Sequence, residues 1–110
     1  MNRAAWLPLV LLSLAGGAFG SVELELQPQL GGAQVRLCFP GEATSVSYEL
    51  LLEMQGPAGV ARTRQAGEVR GDGCPVLSQF GAAPGSLLRA TLTWQRGGQA
   101  QPVIERRLQL

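Results

Sequence analysis

Apolar and polar residues alternate through most of this chain, and glycine-bearing turns interrupt the alternation about every ten residues. A period of two suits a strand with one buried face. It suits a helix poorly, because apolar positions on one helix face recur at about 3.6 residues. Val22, Leu24 and Leu26 share a face, with Glu23 and Glu25 opposite. Gly31-Gly32 then reads as a tight hairpin turn. Val35, Leu37 and Phe39 alternate with Arg36 and Cys38 in a second strand, which Pro40-Gly41 ends. Ser45 to Gln55 is the strongest pattern: Val46, Tyr48, Leu50, Leu52 and Met54 share one face, and Ser45, Ser47, Glu49, Leu51 and Glu53 the other.

Gly56-Pro57-Ala58-Gly59 is a turn. Val60 to Ala66 follows as a polar edge strand carrying Arg62 and Arg64, charges of the kind that guard an open sheet edge. Gly67 to Gly73 reads as loose, with a turn at Gly71-Asp72-Gly73. Val76 to Phe80 is a short apolar strand that precedes the turn Ala82-Ala83-Pro84-Gly85. Leu88, Ala90, Leu92 and Trp94 alternate with Arg89, Thr91, Thr93 and Gln95 before the hairpin glycines Gly97-Gly98. Val103 to Leu110 closes the chain, with Arg106 interrupting its apolar face at a sandwich edge. About seven short strands with regular turns predict an all-β fold, an immunoglobulin-like antiparallel β-sandwich, with a small barrel as the alternative. The match to a true immunoglobulin domain is imperfect: Cys74 precedes the fifth strand, and Trp94 lies on the sixth rather than the third. Tyr48 and Trp94 fall on apolar faces and read as core.

The first twenty residues, Met1–Gly20, read as a secretory signal peptide. Arg3 supplies the positive start, Trp6 to Leu14 the apolar run, and Ala15 to Gly20 the small residues before cleavage. The run is short of the ~20 apolar residues that a spanning helix needs. An N-terminal anchor is the alternative. No cysteine follows the run, so lipid attachment is not expected. The expected mature part, Ser21–Leu110, is a single domain with a thin core, since a chain of about 90 residues buries only ~60–65% of its unfolded surface.

Composition narrows the chemistry. The chain has no His and no Lys, one Asp (Asp72) and one Tyr. A Ser-His-Asp or Cys-His arrangement cannot be built. Two Cys without His do not make an ordinary zinc site, and no phosphate-cradling glycine loop is present. Without Arg3 the basic and acidic residues balance, which argues against nucleic-acid or anionic-membrane binding. The expectation is therefore a protein that is not an enzyme, without cofactor or metal. Cys38 and Cys74 predict a disulfide in an exported protein, stabilising by roughly 4 kcal/mol in the chain-entropy model; two free thiols are the alternative. A thiol-redox role would need closer cysteine spacing.

The segment Val46-Ser-Tyr-Glu-Leu-Leu-Leu-Glu-Met54, its glycine turn, and the Arg/Gln strand ending Gln65-Ala-Gly67 resemble the CsgC/CsgH family of curli-assembly proteins. Val76-Leu-Ser-Gln-Phe80, Ala83-Pro-Gly-Ser86 and Leu88-Arg-Ala-Thr-Leu-Thr93 extend the resemblance to roughly Ser45–Gln109. It is a likeness of pattern more than of motif. The resemblance implies a small periplasmic β-sandwich, probed by its departures: the Cys-X-Cys pair of the CsgC branch is reduced to Cys38 in Cys38-Phe39-Pro40, and Leu87 or Leu88 stands where an aromatic is expected. The chain thus reads as nearer CsgH. The implied role is a monomeric, chaperone-like protein that transiently meets a curli-type amyloid subunit and restrains its aggregation. Cross-β nuclei grow at exposed strand edges, so such a protein needs a β surface that touches the client without templating it. The candidate contact surface is Glu49, Glu53, Arg62 and Arg64; ordinary solvated charge is the alternative for each. A pilus-type or adhesion-type envelope binding module is the competing function.

Overall fold

A computed structural model describes residues 22–110; the leader expected over Met1–Gly20 lies outside the described residues. The alternating segments form eight strands among them: β1 Glu23–Gln29, β2 Gly32–Phe39, β3 Ser45–Gly56, β4 Gly59–Arg70, β5 Gly73–Gly81, β6 Leu87–Arg96, β7 Gln99–Ala100 and β8 Ile104–Gln109. One sheet has the order β1-β2-β5 and the other β4-β3-β6, with β7 and β8 both pairing the far side of β6. Every pairing is antiparallel. The expected all-β sandwich is the fold that forms.

The two inner faces make the core. Ala33, Val35, Leu37 and Phe39 of β2 and Val76 of β5 meet Val46, Leu50 and Leu52 of β3 and Leu88, Ala90, Leu92 and Trp94 of β6. Phe39 is fully buried and lies 6.2 Å from the Tyr48 ring and 5.6 Å from the Trp94 ring, so one side chain of the small sheet engages both aromatics of the large one. The Trp94 indole N–H donates to the Pro102 carbonyl at 3.1 Å, which satisfies its polar end and ties the β7–β8 connection to the core. Buried Glu42 joins the β2–β3 crossover to the end of β6 through Arg96, at 2.9 Å.

Several sequence expectations shift. The first hairpin turns at Leu30-Gly31, and Gly32 belongs to β2, opposite Gln29. A β-carbon at Gly32 would overlap the Phe80 carbonyl oxygen, so close approach of β5 is what demands glycine there. Gly97-Gly98 is the turn expected: both residues have positive φ, 55° and 83°, as a two-residue hairpin of the twisted kind requires. It leads into the two-residue β7, which the sequence pattern did not indicate. Gly67 to Arg70 is strand rather than loose chain. The β3–β4 ladder continues through Tyr48↔Gly67 to Ser45↔Arg70, and Val69 packs against the core.

Cys74 lies inside β5 rather than before it, and it is bridged to Cys38 of the neighbouring β2. The β2–β5 register shifts between Leu37 and Phe39, where Cys74-Pro75 forms a bulge opposite Cys38. The bridge therefore staples two adjacent strands of one sheet, unlike the inter-sheet bridge of an immunoglobulin domain. The bulge also accommodates Pro75, which has no N–H to give to a ladder. Cys38→Ser with Cys74→Ser should lower unfolding free energy by about 2–5 kcal/mol, read as a lower urea midpoint. An unchanged midpoint would mean that the bridge is thermodynamically silent.

Candidate functional site

The four residues singled out from sequence come together. Odd-numbered side chains of β3 face away from the core, and the ladder sets Glu53 opposite Arg62, Leu51 opposite Arg64 and Glu49 opposite Ala66. Arg62 Nε donates to Glu53 Oε2 at 3.0 Å, and Arg64 Nε reaches Glu49 Oε2 diagonally at 3.1 Å. All four thus lie on the outer face of the large sheet, paired with one another. Their exposure differs: the Glu53 side chain is 15% accessible, whereas Arg62 and Arg64 are 70% and 66% accessible.

Glu53 is the hub, and this the sequence reading missed. On its other side Arg89 of β6 donates through Nη2 at 2.7 Å and through Nε at 3.1 Å. Arg89 continues to Glu105 of β8 at 3.8 Å, and Glu105 to Arg107 at 3.5 Å. An alternating chain of charge therefore crosses β4, β3, β6 and β8. The alternation of β6 already placed Arg89 on a polar face. Its partnership with Glu53 depends on the β3–β6 register, which no local pattern reveals.

The hydrogen bond from Arg89, with the charges of Arg89 and Arg62, outweighs desolvation and holds the Glu53 carboxyl below its ordinary pKa; Arg89 is raised in turn. Burial alone would push Glu42 up, but hydrogen bonds from Arg96 and Thr44, with the Arg96 charge, hold it below. On the small sheet's outer face, Arg36 reaches Glu25 at 2.8 Å and Glu23 at 3.5 Å, and its pKa is raised chiefly by the hydrogen bond to Glu25. These arrangements hold charge in register. None of these three clusters sets a nucleophile beside a base.

Carboxylates held below their unfolded values stabilise the fold above the ordinary carboxylate range. That stability is lost as pH falls through the lowered native values. The urea midpoint should therefore drop between neutral pH and about pH 3. Glu42→Gln and Glu53→Gln should each lower the neutral-pH midpoint and flatten the acid loss. An acid loss as steep in both variants as in the parent would assign it to other groups.

No protein-family model matches the chain, and no curated protein matches it. Solved structures do. The solution structure of CsgH from R. palustris superposes with a TM-score of 0.58 at 19% identity, covering 80% of this chain and 89% of that one. The E. coli curli protein CsgC gives a TM-score of 0.57 at 11% identity, over 78% and 94% of the two chains. The likeness read from Val46–Met54 and Val76–Thr93 thus extends to three dimensions, and the protein has a CsgC/CsgH-like β-sandwich fold.

Proposed function

We propose that this protein works in curli-type amyloid assembly, as a periplasmic, chaperone-like protein that restrains premature aggregation of the secreted subunit. The observation that carries the reading is the whole-domain likeness to CsgH and to the curli protein CsgC. The disulfide is consistent with an oxidising compartment such as the periplasm.

The working surface in this reading is the outer face of β3 and β4. Glu49, Glu53, Arg62 and Arg64 present both signs of charge at strand spacing, so an amyloid segment meets polar partners without an apolar template. The Glu49–Arg64 pair is exposed on both sides and contributes only about 0.2–1 kcal/mol to stability. Glu53 is less exposed and also holds Arg89, so its replacement costs more, but it lies outside the apolar core that specifies the fold. Such contacts favour rapid, reversible encounter over tight binding.

Fibril formation by a curli-type subunit, followed by thioflavin fluorescence, tests the reading. Protein added well below equimolar should extend the lag phase, whereas a folded control domain of similar size should not. Replacing Glu49, Glu53, Arg62 and Arg64 together with Ser should preserve the near-ultraviolet spectrum and abolish the delay. Full inhibition by that variant would reject the surface. An unchanged lag with several subunits would favour an envelope binding module with a stable stoichiometric partner.

A further inference from the structure

The edges of the two sheets are protected unequally. On the small sheet, β1 carries Pro28, and β5 carries Pro75 in its bulge. On the β6 side of the large sheet, β7 has only two residues, and β8 is short and carries Glu105, Arg106 and Arg107. The remaining edge, β4, is 12 residues long, contains no proline, and pairs with β3 without a register shift from Gly56↔Gly59 to Ser45↔Arg70. Its other side has no strand neighbour among the described residues.

Beside that edge the sandwich is open. Inward-facing residues in the half of β4 nearest the Gly56–Gly59 turn are small or polar, with Ala61 opposite Met54 and Thr63 opposite Leu52, whereas Val69 at the far end packs against the core. Between β4 and β5 they leave an apolar crevice of about 140 Å3, lined by Leu52, Met54, Ala61, Thr63, Phe80 and Leu88. A depression of about 230 Å3 continues past Met54 and Ala61 toward the Pro57-Ala58 turn. Apolar cavities near the size of the crevice accept a ring as large as benzene.

We infer that β4 and this crevice form a docking site for one extended partner strand, which pairs with the β4 backbone and inserts an apolar side chain between the sheets. A strand added at normal spacing, about 4.8 Å from β4, lies over the mouth of the crevice, and every second side chain turns inward. The intervening side chains fall beside Arg62 and Arg64. Both guanidiniums are engaged by β3 carboxylates through Nε and remain largely accessible, so they favour carboxylate or carboxamide oxygens on the partner. They also select against a second copy of this chain. Two β4 strands paired antiparallel about Thr63 would set Arg62 against Arg64, and like charges directly opposite destabilise a ladder. The occupant is thus a foreign strand that alternates apolar residues with acidic or amide ones. Identifying it with the amyloid subunit rests on the proposed function; the docking site itself does not.

The probe is a synthetic peptide of about six residues alternating valine with glutamine and glutamate, beside an analogue N-methylated along one edge. The expected result is slowed hydrogen exchange at amides between Val60 and Val69 when the peptide is added. N-methylation should weaken binding about tenfold or more. Ala61→Phe, which fills the crevice and leaves all four charges of the outer face in place, should do the same while retaining the near-ultraviolet signal of Trp94. Protection confined to other strands, or equal affinity for parent and a folded Ala61→Phe, would overturn the site. Fibril kinetics separate the two proposals. If the parent and Ala61→Phe extend the lag equally, the docking site fails as the inhibitory site and the function stands. If the parent leaves the lag unchanged yet the peptide protects β4, the function fails and the docking site stands.

Discussion

Phe39 holds the two sheets in relation to each other. It projects from the end of β2 and packs against Tyr48 of β3 and Trp94 of β6, so the small sheet is seated over the central pair of strands in the large one. Val35 and Leu37 of β2 share one buried core with Leu50 of β3 and Leu92 of β6. Arg96 then lies over the Trp94 ring, 5.1 Å from its centroid, and reaches Glu42 on the crossover between the sheets. A thin core can specify one sheet packing in this way because large aromatics bury more area than any other side chains and tolerate few relative orientations.

That seating also decides what the periphery can do. The central strands β3 and β6 bury alternate residues along most of their length, whereas β4 is exposed at nearly every position. Near the Gly56–Gly59 turn its inward side chains are not the large apolar residues of β2, β3 and β6 but Ala61, Thr63 and Gln65, the last donating to Ser78 of β5 at 3.3 Å; only Val69, at the far end, reaches the core. Outside the same strands, the alternating charges run without a break from Arg62 through Glu53 and Arg89 to Glu105. The polar surface and the open edge thus meet at β4, one presenting charge across the sheet face and the other a backbone edge with no strand neighbour among the described residues. The arginines on this strand make the edge unattractive to pairing with a second copy of the chain.

The local pattern carried much of this. Two-residue periodicity identified the strands containing Leu24, Leu37, Leu50 and Leu92 and the face each buries, because alternation in sequence is alternation across a sheet. It likewise put Glu49, Glu53, Arg62 and Arg64 together, since consecutive strands joined by the short Gly56–Gly59 turn are constrained to pair as a hairpin with their outer faces aligned. It placed Gly67–Arg70 in a loop because glycine and charge weaken a strand signal. The strand persists there because β3 continues alongside and Val69 reaches the core.

What the sequence determined by itself was the set of alternating faces, the hairpins between near neighbours and the pair of cysteines available for a bridge. Tertiary structure decided which distant strands became neighbours. The pairing of β2 with β5 brought Cys38 to Cys74 within one sheet, with Cα atoms 3.9 Å apart, and created the bulge that admits Pro75. The pairing of β3 with β6 made Glu53 the partner of Arg89, and the stacking of the sheets left a crevice beside β4. Periodicity is a property of a single strand, whereas register between strands far apart in sequence is settled by the collective packing of their inner faces. A one-residue slip would turn an entire face from core to solvent.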